Sequence, residues 1–419
     1  MQKIKSIPAL LKTEKGFLLL DQVIFSTTSF LTTIILARGL GITEFGRYST
    51  IVLYLYLLLS VSNALVMSPF QVLVAKEENR HNYIAALFVL QCVIIMLMAG
   101  VTLLLFRANI SLIQDIKEYS LAVVFLLAGF LLQDFFRRIF LATQKAKQAF
   151  LIDGVSGVLQ LAALIVTAFT HTLNLLTALL IIALTYLPSV LLAIFYSEKI
   201  ITGWVSVKKY ARLNLGTGKW LLSGSVLQWW ANNFIVAASG IFLGIKALGA
   251  LRLAQTLFGV LNALFQVLEN YALPAASVLC TESADKMRGF LIHITKRGFL
   301  LLLPVLAVCI LFSKKIFVLC GGTAFAGYSG VLQGMALLYL VVFAGYPVRI
   351  AIRVFLLNRD FFIAYCGSFL FSLLSAQYLI RQWQLNGVIA ALIINQLLML
   401  AYWQWVLARK QFKLWKSFM

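Results

Sequence analysis

The chain has 419 residues, 62% apolar and 12% charged, with 35 Lys and Arg against 14 Asp and Glu for a formal net charge of +21. A soluble domain is roughly half apolar and a quarter charged, so this composition excludes a soluble fold. The mean hydropathy of +0.95 comes from repeated apolar runs of about 20 residues, each able to cross a hydrocarbon core about 30 Å thick.

Taken in chain order, the apolar runs predict an all-α polytopic membrane protein with twelve transmembrane helices, near 16–38, 46–69, 83–106, 119–143, 149–170, 174–196, 219–243, 249–275, 290–312, 331–357, 361–380 and 387–408. The basic N-terminus leads into a full-length span without a small-residue cleavage pattern, so no removed signal peptide is expected. In the ninth run, too few residues separate Arg297 from Lys314 to span. Either Lys296 and Arg297 lie inside the helix or Lys314 snorkels at its outer end. Assigning each basic residue to the nearer side puts 26 with the termini and even-numbered connections and 9 with the odd-numbered ones. Both termini are therefore expected in the cytoplasm, and the charge excess needs no nucleic-acid partner. The expected domains are a six-helix bundle over 1–200, a cytoplasmic amphipathic connection over 201–218 and a second bundle over 219–419. In the connection, Trp204, Lys208, Lys209 and Arg212 suit the anionic inner leaflet, and the notionally amphipathic stretch begins at Lys199.

The five cysteines are scattered without CxxC spacing, and His81, His171 and His293 stand at unrelated spacings, so neither a metal site nor a catalytic nucleophile is expected. No GxxxxGK[ST] loop is present either, so the chain has no nucleotide-driven motor of its own.

The first span ends in LARGLGITEFGRYS (Leu36 to Ser49), and LGITEFG at 40–46 matches LGIKALG at 243–249 without a gap, at an offset of 203 residues. A second echo pairs RRIFLATQKAKQAF from Arg137 with IRVFLLNRDFF from Ile352, each at the inner end of its half's fourth span. These repeats predict two pseudo-symmetric six-helix bundles of like orientation. The glycines at 41, 46, 244 and 249 suit a tight outer turn between antiparallel helices. Together with CGGTAFAGYSGVL (Cys320 to Leu332) and the twelve-span plan, the chain resembles the polysaccharide-transporter branch of the multidrug/oligosaccharidyl-lipid/polysaccharide (MOP) flippase superfamily, O-antigen flippases in particular. That resemblance implies a bacterial plasma (inner) membrane protein that moves undecaprenyl-pyrophosphate-linked oligosaccharide to the outer leaflet by alternating access. Implied partners are the lipid-linked oligosaccharide, membrane lipids, and a polysaccharide polymerase with its assembly proteins.

Polar residues inside spans are costly and mark cavities or partner helices. Asp21 lies about 8 Å beyond Gly16, with Thr28 and Thr32 on its face. It is either the top of a polar stripe or an interfacial carboxylate paired with a neighbouring lysine. Asp134, Arg137 and Arg138 have i, i+3, i+4 spacing and read as a gate or a local ion pair. In the seventh span Gln228 and Asn232 are four apart, beside Trp229 and Trp230; amides can pair sugar hydroxyls and indoles can stack on sugar faces. In the eighth, Gln255, Asn262, Gln266 and Glu269 share one face, which lines a sugar-tolerant cavity or bonds to other helices. Arg349 and Arg353 share a face of the tenth span, Arg349 about 12 Å in from Leu357, and can hold a pyrophosphate, with Arg252 as a second station; alternatively all three are anchors or pair with carboxylates.

The expected function is thus a flippase with no cofactor, coupled to proton, sodium or membrane potential, with Asp21 and Glu269 as ion-coupling candidates. Two alternatives remain at this level: a drug/cation antiporter of the same superfamily, and a non-transporting scaffold of a polysaccharide assembly complex.

Overall fold

The computed structural model describes residues 13–74, 77–108, 115–197 and 201–414, and all regular structure among them is helical. Both chain ends and Lys199 lie outside the described residues. The helices are α1 (Glu14–Ser62), α2 (Ser68–Leu73), α3 (Arg80–Arg107), α4 (Ser120–Ala142), α5 (Ala146–Phe169), α6 (Leu175–Tyr196), α7 (Trp204–Leu243), α8 (Ile245–Glu282), α9 (Ala284–Leu311), α10 (Ser313–Gly321), α11 (Ser329–Val354) and α12 (Asn358–Arg409). Among the described residues, ten continuous stretches are long and apolar enough to cross a bilayer. Two of them are broken by a non-helical residue, Gly41 in the first and Gln384 in the last. Each broken stretch supplies two spans, in keeping with twelve in all. The chain is a multi-pass membrane protein.

The breaks have a chemical cause. Gly41 (φ 72°, ψ 171°) and Gly244 (φ 85°, ψ 172°) adopt the same backbone conformation, one that is essentially restricted to glycine. The two copies of the LGI motif therefore turn the chain in the same way. Gly46 and Gly249 serve differently from the expected turn residues. A Cβ on Gly249 would lie 3.2 Å from the Gly46 Cα and from the Ile42 carbonyl, and one on Gly46 would run into the Ile245 backbone. They permit close approach of helices.

In the ninth span Lys296 and Arg297 lie well inside α9, and Lys314 belongs to the separate short helix α10. The stretch 201–218 is not a free-standing connection, because from Trp204 it forms the first turns of the 40-residue helix α7.

The chain divides into two compact units, one of 1–40 with 47–226 and the other of 41–46 with 227–419. In the first, α4 packs against α3, α5 and α6; in the second, α11 packs against α8, α9 and α12. Each unit is thus built round the fourth span of its half, the helix whose C-terminal end carries the second sequence echo.

The early part of α7 is fastened to the first unit at a π-helical turn, Asn63–Met67. Such a turn displaces backbone carbonyls from their normal partners. The Asn214 carboxamide donates to the Leu65 and Val66 carbonyls at 3.0 and 2.8 Å and accepts from the Tyr83 hydroxyl. Gly218 lies flat on the same turn: a Cβ there would be 3.0 Å from the Leu65 Cα.

Candidate functional site

Each unit encloses a polar cavity beside its central helix. The cavity of the first unit, about 110 Å³, is lined by Thr28, Thr32, Gln133, Asp134, Arg137 and Asp153, among others. Arg137 is its hub. Its Nη2 donates to Asp21 Oδ2 at 2.7 Å, and its Nε lies 2.7 Å from Asp153 Oδ2, in an ion pair without hydrogen-bond alignment. The Phe25 ring covers the guanidinium, 4.3 Å from its centroid. Asp21 and Asp153 are only 1% and 3% exposed. Gln133 donates to Asp153 Oδ1 at 3.1 Å and to Ser156 at 2.7 Å, while Gln160 donates to Thr32 at 2.7 Å.

Two expectations change here. Asp21 is paired with Arg137 rather than with a lysine, and Arg137 is not part of a local pair. It is Arg138 that closes on Asp134, at 2.6 Å within one helical turn. Since that pair is neutral, two carboxylates face one guanidinium and the cavity carries one carboxylate in excess. The sequence reading missed Asp153 and Gln133. Asp153, Ser156 and Gln160 stand at i, i+3 and i+7, a polar face on α5 that was there to be read.

The cavity of the second unit is larger, about 190 Å³, and is lined by Gln228, Asn232, Tyr346, Arg349, Tyr365, Gln396 and Trp403 with a few apolar residues. Among the described residues, no carboxylate lines it. Arg349 makes no ion pair among the described residues, its buried Nε has no hydrogen-bond partner, and its guanidinium lies 5.9 Å from the Tyr346 ring centroid. Trp403 is 5% exposed and its indole Nε1 is likewise without a partner. The structure therefore brings together Gln228, Asn232 and Arg349 and adds Tyr365, Gln396 and Trp403.

It does not bring Arg353 to the same place. Arg353 pairs with Glu269, and the other Glu269 oxygen accepts from the Tyr346 hydroxyl at 2.9 Å. For Arg353 this is the carboxylate pairing left open by the sequence rather than a share in one pyrophosphate, and it leaves Glu269 with a fixed counter-ion. Along α8, Arg252 donates to Gln255 at 3.0 Å and Asn262 donates to the Tyr339 hydroxyl at 2.7 Å. Gln255, Asn262 and Gln266 line neither cavity. Of these, Asn262 bonds to another helix, while Gln255 is held by Arg252 of its own helix. Trp229 and Trp230 meet edge to face, with ring centroids 5.1 Å apart.

A family model described as "Polysaccharide biosynthesis protein" matches residues 35–329. No curated protein matches the chain. Among solved structures, a multidrug resistance MATE family transporter of the MOP superfamily in its inward-facing conformation aligns with a TM-score of 0.72 at 13% identity, over 96% of this chain and 100% of that one. The lipid II flippase MurJ in an inward closed conformation aligns at 0.71 and 12% identity, over 93% and 87%. The eukaryotic MATE transporter AtDTX14 aligns at 0.61 and 16% identity, over 94% and 95%. At such identities the likeness is one of fold, and the fold is that of MOP-superfamily transporters.

Proposed function

Because the chain belongs to the polysaccharide biosynthesis protein family, we propose that it is a flippase carrying a lipid-linked oligosaccharide, of the O-antigen kind, from the cytoplasmic to the outer leaflet of a bacterial inner membrane. The observation that carries this reading is Arg349: a guanidinium without an ion pair, facing a cavity that contains amides and aromatics but no carboxylate. A charge within a membrane span is costly unless a partner or water compensates it. An anionic headgroup supplies that partner, and at about 4 Å and an effective dielectric of about 20 each charge contact is worth about 4 kcal/mol before desolvation. Arg353 and Glu269 stand one turn inward as a closed ion pair, and they hold Tyr346 against the Arg349 face.

Energy coupling falls to the first cavity. Glu269 is held by Arg353 and Tyr346, whereas Asp21 and Asp153 share one arginine. The excess carboxylate there is a place for an exchangeable proton. It is also the observation that favours a drug/cation antiporter, which would need a carboxylate for its cargo.

The test is flipping of a fluorescent polyprenyl-pyrophosphoryl oligosaccharide in sealed vesicles. Arg349→Gln is expected to lower the rate at least a hundredfold at unchanged thermal stability, with partial recovery in Arg349→Lys, which restores charge without the planar fork. Export of an organic cation that persists in Arg349→Gln would instead establish the antiporter.

A further inference from the structure

The second cavity contains more than an anion site. About 190 Å³ is far above the about 10–15 Å³ that one water requires, and one guanidinium does not fill it. Besides Arg349, its polar equipment is three carboxamides, Gln228, Asn232 and Gln396, the hydroxyls of Tyr365 and of Tyr346, the latter donated to Glu269, and the indole N–H of Trp403. Gln228 and Asn232 are exposed to the cavity and make no side-chain hydrogen bond among the described residues. The Trp403 ring cannot act as a stacking platform, because Phe361 lies parallel on it (6° between planes, centroids 5.3 Å apart) and Tyr365 meets it edge-on. What remains is the Nε1–H, buried at the edge of the cavity lining, clamped in place and unpartnered. A buried donor without an acceptor loses about 1–3 kcal/mol of solvation, and a ligand acceptor removes that penalty.

We infer that Gln228, Asn232, Gln396 and Trp403 form a subsite for an uncharged sugar attached to the anion that Arg349 holds, so that the cavity selects a glycosyl phosphate with a neutral sugar over one with a charged sugar. Carboxamides donate and accept, which matches hydroxyl and acylamino groups; the indole N–H donates only and takes a ring or hydroxyl oxygen. A sugar with an ammonium group meets Arg349 and no carboxylate. A sugar with a carboxylate competes with the phosphate for the one cation. Selection against both follows from leaving a charge unpaired in a site of low dielectric. The inference rests on the proposed function, since the anion at Arg349 is the headgroup of that reading.

The experiment measures binding to the purified full chain in detergent by isothermal titration. The probes are farnesyl pyrophosphate, the same lipid bearing glucose, glucosamine or glucuronic acid on its terminal phosphate, and tail-free glucose 1-phosphate. The wild type should bind the glucosyl lipid about tenfold more tightly than bare farnesyl pyrophosphate, or than either charged-sugar lipid, one hydrogen-bonded group being worth about that factor. Trp403→Phe, which keeps the ring and its stack on Phe361, should erase the advantage of glucose and leave farnesyl pyrophosphate binding unchanged. Gln396→Leu is the second variant and should act alike, and a thermal melt of each checks folding. Arg349→Gln should abolish binding of every probe. Glucose 1-phosphate binding as tightly as the glucosyl lipid would identify a soluble ligand rather than a lipid one. Equal affinity for neutral and charged sugars, or equal loss of all probes in Trp403→Phe, overturns the subsite while the flippase reading stands. Binding of no pyrophosphate probe by the wild type overturns both.

Discussion

At the scale of single residues, the two arginines that sit in the cavities differ in what surrounds them. Arg137 is enclosed by Asp21 and Asp153; Arg349 faces amides and aromatic rings. Removing a partner from a buried ion pair strands charge, at about 3–5 kcal/mol. Arg137→Gln is therefore expected to lower the melting temperature sharply, since it leaves two buried carboxylates facing each other. Asp153→Asn keeps the shape and the Gln133 contact, leaves a simple Arg137–Asp21 pair, and should melt near the wild type. Differential scanning fluorimetry of the two variants checks the contrast, and equal melting temperatures would show that the triad is not the unit described. Arg349, Gln228 and Asn232 were legible because a polar group within an apolar run announces itself. Trp403 was not: near the end of the last span an aromatic has the bland reading of a membrane-interface residue. Gln396, in the middle of that apolar run, carried the same signal and was missed. The pairing of Arg353 with Glu269 joins positions 84 apart, and no local periodicity reports it.

At the scale of elements, the pattern of apolar runs was enough to place the spans, and the limits of each helix were less accessible. Hydropathy stops where charge begins, but a helix does not: α7 starts at Trp204, α8 runs to Glu282 and α9 begins at Ala284, all beyond their apolar stretches. The turns were marked by glycine, yet the sequence alone did not separate glycines that supply a torsion from those that supply room. Gly41 has open space where a Cβ would go, so its requirement is purely one of backbone conformation. Gly41→Ala is expected to destabilise by about 1–3 kcal/mol through strain alone. Gly100→Ala, at a helical position with equal space, should be neutral or slightly stabilising. A thermal shift of the same size in both would refute the torsional account.

At the scale of the whole molecule, the contrast is between an acidic cavity in one unit and, in the other, a basic cavity lined by no carboxylate among the described residues. If the first serves coupling and the second cargo, their variants should fail in different ways. Asp153→Asn is expected to retain headgroup binding while flipping loses its dependence on an imposed pH gradient. The inside-negative potential, about 2.3 kcal/mol per charge at 100 mV, then remains as the driving force on an anion moving outward. Flipping assays in vesicles with pH and potassium-diffusion gradients set separately measure this, and an unaltered pH dependence in Asp153→Asn would return the triad to a purely structural role.

The shared torsions of Gly41 and Gly244 also bear on ancestry. Between the two copies of the motif, positions 43–45 and 246–248 have diverged completely, Thr-Glu-Phe against Lys-Ala-Leu, while the glycines and the bend they make are the same. What a duplication hands down most durably is the residue whose backbone geometry has no substitute among the other nineteen. Near-complete coverage by a transporter of like fold at 13% identity likewise shows that the arrangement of the helices survives replacement of most of the side chains that fill the spans.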